Sequence, residues 1–313
     1  MARYALLFPG QGAQYVGMGE SFYHDYRHLF DEAESALSIP LKKIMHRGPM
    51  EELTLTAIAQ PAILLHSIAA LTHAQKNLEF SISCVLGHSL GEYSALVCAG
   101  VMGFADAIKA VHQRGTFMQE AVPKGSGAMA AVLGMDALAI AQALKEFSHE
   151  TSTHYAAIAN LNGPLQTVIA GSKEGIAQAS IKLKELGAKR IIDLPVSAPF
   201  HCALMKPVQM QMADVLNNIE FKDALYPVIS NVSAQAETKG SRIRELMLLQ
   251  ITHPVRFTEC VGYIKDNHLA QQGCLELGPK NTLSGIVKKI DPDMGLFNVD
   301  KASDIDSLKA LET

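Results

Sequence analysis

The five residues Gly87-His88-Ser89-Leu90-Gly91 constrain this chain more than any other segment. An apolar run over 81–87 leads into them, and a helical pattern from Leu90 to about Val101 follows. A strand, a sharp glycine-flanked turn and a helix are the parts of a parallel α/β sheet. Such a turn lifts the central serine hydroxyl clear of the sheet, and the glycines relieve the crowding it creates. The helix behind it aims free N–H groups and a positive end at any developing oxyanion. A plain glycine-rich turn whose serine caps the helix uses the same letters, so the motif alone leaves both readings open.

Residues 4–8 read as a second buried strand, stopped by Pro9-Gly10. Residues 227–232 and 274–277 read as two more, the latter followed by a helix over 281–290. Between them, 126–196 has a different rhythm. A strand over 128–133 precedes a helix capped by Asp136, with Leu138, Ala141, Ala143 and Leu144 on its apolar side. Strands over 155–160 and 167–170 flank the turn Asn162-Gly163-Pro164. A helix from Ser172 to Gly187 exposes Lys182 and Lys184, and a strand over 190–196 closes the segment. The order β-α-β-β-α-β is ferredoxin-like. The expected fold class is therefore α/β: a larger domain with a parallel sheet over 1–125 and 197–313, and a small ferredoxin-like domain inserted at 126–196.

The chain is 48% hydrophobic and 19% charged, which suits a globular protein with a sizeable core. A net charge of −4 and the absence of tryptophan argue against a nucleic-acid binder. Five scattered cysteines form no C-x-x-C pair or zinc spacing, which suits a reducing compartment and predicts no metal. The apolar start is too short for a signal peptide, and no stretch of about 18 apolar residues stands out as a membrane span. The expectation is a soluble, cytoplasmic, monomeric protein.

A serine nucleophile needs a base, and His112, His149, His154, His201, His253 and His268 all follow it. His201 has the best context, because the loop Pro195-Val196-Ser197-Ala198-Pro199-Phe200 before it is stiffened by two prolines. A helix over 106–120 puts Ala107, Ile108, Ala110, Val111, Gly115, Phe117 and Met118 on one arc, with Arg114 in their midst. A guanidinium placed there must be paired. An internal carboxylate would make it structural, whereas a substrate carboxylate would use its planar fork. Gln11, between Gly10 and Gly12, can bring a backbone N–H close to a ligand, although a plain turn explains it equally.

Taken together, these segments resemble the malonyl-coenzyme A:acyl carrier protein transacylase family of bacterial fatty-acid synthesis. The resemblance rests on Phe-Pro-Gly-Gln-Gly at 8–12, Gly-His-Ser-Leu-Gly-Glu-Tyr-Ser-Ala-Leu at 87–96 and Gln-Arg-Gly at 113–115. It continues through Gly-Ala-Met-Ala-Ala at 127–131, Ala-Pro-Phe-His at 198–201 and Glu-Leu-Gly-Pro at 276–279. It implies a hydrolase-like larger domain, with the ferredoxin-like insert as the other wall of a cleft. It implies Ser89 as nucleophile, His201 as base, the backbone carbonyl of Gln250 as orienter of the imidazole, and the N–H groups of Gln11 and Leu90 as oxyanion hole. Arg114 is then the clamp for the malonyl carboxylate, while Asn160 and Asn162 line the cleft without a stated role.

No bound cofactor is implied. Malonyl-coenzyme A is the donor, the phosphopantetheine of an acidic acyl carrier protein is the acceptor, and no membrane or nucleic acid takes part. Phe200 is expected to narrow the pocket against a 2-methyl group. Lys189, Arg190, Lys206, Lys288 and Lys289 are candidates for meeting the carrier. An esterase or thioesterase shares the serine elbow but has no use for Arg114. A polyketide acyltransferase shares every residue named, and a silent carrier-docking module would not need the intact Ser89, His201 and Arg114.

Overall fold

The computed structural model describes residues 2–312 apart from 124, 151 and 197, without the side chains of 311 and 312. Ser197 of the proline-stiffened loop therefore lies outside the described residues. The strands are β1 (Ala2–Phe8), β2 (Phe80–Gly87), β3 (Gly127–Leu133), β4 (Ala156–Gly163), β5 (Gln166–Ser172), β6 (Arg190–Asp193), β7 (Val228–Ile229), β8 (Ala236–Glu237), β9 (Cys274–Leu277) and β10 (Leu296–Val299). They form a six-stranded sheet of order β10-β9-β1-β2-β7-β8 and a four-stranded sheet of order β4-β5-β3-β6.

In the larger sheet every pairing is parallel except β7 with β8. Its central strands carry unbroken apolar strings, Leu6-Leu7-Phe8 and Val85-Leu86, all fully buried. Strands covered on both faces need such strings rather than an alternating pattern. The Thr56–Asn77 helix runs through the core with residues buried on every side. It is long and apolar enough to cross a membrane, at a mean hydropathy of 1.3, yet 83% of that stretch is buried inside the protein. The sequence reading found no stretch of that kind, because Gln60, His66 and Ser67 break the run. The structure shows those three side chains buried with the rest.

The smaller sheet is antiparallel throughout, with its first and third strands, β3 and β5, side by side at the centre. Helices Ala137–Ala143 and Lys173–Glu185 complete the β-α-β-β-α-β order. Asp136 accepts hydrogen bonds from the Leu138 and Ala139 N–H groups, and Ser172 accepts one from Gly175. Several expectations need correction here. Leu138 and Ala141 are exposed; Ala143 and Leu144 are buried as expected, and Ile140 completes that face. Asn162 and Gly163 belong to β4, so the hairpin turns at Pro164-Leu165. Strand β6 stops at Asp193, and Lys182, expected to be exposed, is half-buried and pairs with Glu146.

A short main-chain seam joins the two halves. Val255 donates its N–H to Ala159 at 2.9 Å and accepts from Leu161 at 2.8 Å, extending β4 with a piece of the larger half.

Candidate active site

Ser89 lies two residues beyond Gly87, the last residue of β2, with φ at 53° in the left-handed region that side chains avoid. The flanking glycines are dictated by contact. A Cβ on Gly91 would lie 2.0 Å from the Phe8 carbonyl oxygen, and one on Gly87 would lie 1.9 Å from the Gly91 carbonyl carbon. The Gly91–Cys98 helix begins immediately behind. Ser89 Oγ lies 2.7 Å from His201 Nε2.

His201 is buried at the end of its loop, also with a left-handed backbone at φ 58°. Its Nδ1 lies 2.8 Å from the carbonyl oxygen of Gln250, the last residue of the Gly240–Gln250 helix. Only a protonated Nδ1 can donate to a carbonyl, so Nε2 is left as the acceptor facing the serine. A carbonyl at a helix C-terminus needs a partner from outside the helix and carries negative partial charge. It therefore orients the ring and favours a proton on it without an acidic side chain. Burial pushes the imidazole down to about 3, the Arg114 charge acts in the same direction, and the Gln250 carbonyl acts against both.

Arg114 is 1% exposed on the Phe104–Glu120 helix. Its Nη1 donates to Gln60 Oε1 at 2.8 Å, and its Nη2 to Gln250 Oε1 at 2.9 Å and to Ser89 Oγ at 3.1 Å. The guanidinium also sits over the Tyr93 ring, 5.7 Å from its centroid. Among the described residues no carboxylate reaches it within ion-pair distance, so the internal-carboxylate alternative is not what the structure contains. The nearby acid is Glu92, one residue removed. Gln250 Nε2 donates to Glu92 Oε2 at 2.7 Å and to the Ser89 carbonyl at 2.9 Å. Burial pushes the Glu92 carboxyl up to about 7 in spite of these donors.

The N–H groups of Gln11 and Leu90 donate to no acceptor among the described residues. Both residues line a cavity of about 240 Å³ together with Ser89, Arg114, Gln60, His201 and, from the smaller half, Met129 and Asn160. Phe200 lines it beside His201. Asn162 lies outside this lining and accepts at Oδ1 from His88 Nε2 at 2.8 Å, tying the smaller half to the elbow. Among the described residues no three His, Cys, Asp or Glu side chains are placed to hold a metal ion.

The structure thus brings all six site residues expected from sequence, Gln11, Ser89, Leu90, Arg114, His201 and Gln250, to one place. Sequence reasoning missed Gln60, Glu92 and Asn231. The first two carried a signal, a polar residue inside an apolar helix. Asn231 carried none, since it meets the elbow only through the tertiary fold.

Residues 5–289 match the family described as acyl transferase domain. The chain is 47% identical over 299 residues to the malonyl CoA-acyl carrier protein transacylase of Bacillus subtilis strain 168, covering 93% of this chain and 91% of that protein. It is similar to the crystal structure of an acyl carrier protein S-malonyltransferase from Vibrio cholerae, with a TM-score of 0.92 and 40% identity over 97% of this chain and 99% of that one. It is equally similar to a malonyl-transacylase solved with its type II PKS acyl-carrier protein, with a TM-score of 0.93 and 40% identity over 99% of each chain. A serine elbow, a carbonyl-oriented histidine and an unpaired buried arginine thus stand on a chain matched almost from end to end, and it belongs to the malonyl CoA-acyl carrier protein transacylase family of acyltransferases.

Proposed function

We propose that this chain transfers a malonyl group from malonyl-coenzyme A to the phosphopantetheine thiol of an acyl carrier protein, through a malonyl ester on Ser89. One observation carries the reading. The Ser89 hydroxyl touches both an acceptor nitrogen of His201 and the buried cation of Arg114.

Ser89 Oγ attacks the thioester carbonyl carbon while its proton passes to His201 Nε2. The Gln11 and Leu90 N–H groups take the oxyanion, and its collapse expels the coenzyme A thiolate, which recovers the proton from His201. In the second half the carrier thiol gives its proton to His201 and attacks the ester carbonyl. Ser89 Oγ then leaves and is reprotonated. Arg114 holds the malonyl carboxylate through both halves, so a donor without that carboxylate leaves a buried cation unpaired. Phe200, on the cavity wall, restricts the space at the malonyl C2, and methylmalonyl-coenzyme A reacting as fast as malonyl-coenzyme A would remove that part of the reading.

Intact mass after mixing with malonyl-coenzyme A or acetyl-coenzyme A, beside Ser89→Ala, tests the whole. A malonyl adduct that is lost in Ser89→Ala and weak with acetyl is the expected result. Equal malonyl and acetyl adducts would refute the clamp. Continued release of free thiol beyond one equivalent per Ser89, without transfer to carrier, would indicate a thioesterase instead. The likeness to a polyketide-system transacylase supports a second reading, in which the carrier belongs to a polyketide synthase. Competition between fatty-acid and polyketide carriers for the malonyl-enzyme separates the two.

A further inference from the structure

Asn231 lies in the turn between β7 and β8 and is 0% exposed. Its side-chain amide spans the serine elbow. Oδ1 accepts from the Ser89 N–H at 2.8 Å, and Nδ2 donates to the Gly87 carbonyl at 2.7 Å. The C=O of one residue and the N–H two residues on project from the same edge of a strand, where a parallel neighbour would bond them. Strand β7 is that neighbour for β2, but the two pair only at Val85 and Val228, and β7 ends at Ile229. The Asn231 amide stands in for a peptide of the missing strand. Its own main chain is fixed on both sides, with the N–H 3.3 and 3.4 Å from the Glu92 carboxylate oxygens and the carbonyl accepting from Arg256 N–H at 3.0 Å.

We propose that Asn231 is a positioning residue for the transfer reaction: its amide braces Ser89 in the left-handed turn and occupies the Ser89 N–H, leaving the Leu90 N–H as the unpaired donor of the elbow. The proposal rests on Ser89 being the nucleophile. Without the amide, two main-chain groups are buried without partners, and the turn is free to relax toward an ordinary backbone. A shift of about 1 Å in a reacting atom slows such chemistry by about 10²-fold. Arg114 is held by Gln60 Oε1 and Gln250 Oε1 as well as by Ser89 Oγ, so the carboxylate clamp keeps its own anchors when the elbow relaxes. The loss therefore falls on the rate at saturation, and the half-saturating donor concentration changes little.

The experiment is single-turnover acylation by malonyl-coenzyme A in the parent chain, Asn231→Ala and Asn231→Asp. The Ser89 adduct is read by mass and normalised to the fraction that can be acylated at all. Asn231→Ala is expected to acylate about 100-fold more slowly at saturation. Acylation at the parent's rate would overturn the proposal, as would a loss confined to the half-saturating concentration.

Asn231→Asp keeps an acceptor for the Ser89 N–H but turns a carboxylate oxygen against the Gly87 carbonyl. Protonation of that carboxyl restores the donor, so its rate relative to the parent climbs as pH falls from about 8 to about 5.5. Around position 231 stand Glu92, His88, His201, Cys260, Arg256 and, behind Gln250, Arg114. Parent and variant share them all, but Glu92, pushed up to about 7, couples to a carboxyl at 231, so the ratio reports that pair, and a ratio independent of pH would overturn the brace. Failure of the parent to take up malonyl on Ser89 would remove the transfer reading itself. Normal acylation of the parent and of both variants removes only the brace.

Discussion

Arg114 keeps a charge in the protein interior with two glutamine oxygens, a serine hydroxyl and the Tyr93 ring as partners. Burial works against that charge, so a carboxylate arriving from outside meets a cation with unused capacity. Losing one member of a buried charge pair costs about 2–5 kcal/mol. Arg114→Ala should therefore lower kcat/KM for malonyl-coenzyme A by about 30-fold or more and leave acetyl-coenzyme A much less affected. An unchanged malonyl-to-acetyl ratio would show that Arg114 does not read the carboxylate.

The pH profile is also a residue-scale matter. An ordinary histidine loses its base function below about 6.5. His201 is held near 3, chiefly by burial, so it stays neutral and able to accept a proton well below that. The rate of malonyl-enzyme formation should then show no acid limb centred near 6.5, and stopped mixing between pH 5 and 8 measures it. A limb near 6.5 that persists in Glu92→Gln, which removes the carboxyl pushed up to about 7, would mean that the imidazole is far better solvated than its surroundings indicate. The same depression bears on stability. The unfolded imidazole binds its proton near 6.5 and the folded one only near 3, so this contribution is complete above 6.5 and declines as pH falls between those values.

At the scale of elements, the site depends on how closely two helices approach. A Cβ on Gly115 would lie 2.5 Å from the Thr56 carbonyl oxygen, at the start of the Thr56–Asn77 helix that carries Gln60. Gly115→Ala should force the helices apart at a cost of about 1–3 kcal/mol. It should also stretch the Arg114–Gln60 hydrogen bond, raising KM for malonyl-coenzyme A before kcat falls. Thermal unfolding and steady-state kinetics on the one variant test both, and a neutral substitution would mean that the helix contact yields without moving Arg114. The elements that were legible in the sequence have a pattern with one face or one period. The β2–serine–helix unit, the Phe104–Glu120 helix and the alternating strands and helices of 126–196 are of this kind. The Thr56–Asn77 helix is buried all round and so has no amphipathic period to detect. Strand β8, two residues long, is too short to show one, while the strand expected over 227–232 is present as β7 but stops at Ile229, where the chain turns at Asn231. The Asn231 and Gln250 side chains act through partners at least 136 residues away, a relation that spacing along the chain does not encode.

Across the whole molecule, a chain of net charge −4 must present a local cationic face to attract an acidic carrier. The fold sorts the five basic candidates. Leu133 at the end of β3 is in register with Gln166 on one side and Arg190 on the other. Lys289 Nζ donates to Gln166 Oε1 at 3.2 Å, and the Lys189 side chain packs over Gly134. Adjacent strands are about 4.8 Å apart, so Lys189, Arg190 and Lys289, with Lys288 next in sequence, lie at one end of the smaller sheet. Lys206 is elsewhere, and its charge is opposed by Glu150. Charges at the rim of an interface act mainly on association rate and are screened by salt. Arg190→Glu combined with Lys289→Glu should therefore raise KM for the carrier several-fold at low ionic strength and leave the malonyl-coenzyme A half-reaction unchanged. The difference should fade near 1 M salt, where the screening length is about 3 Å. Lys206→Glu should do much less. If the double variant and Lys206→Glu raise KM equally, the carrier follows the overall charge of the protein. If neither raises it, the carrier docks on some other face.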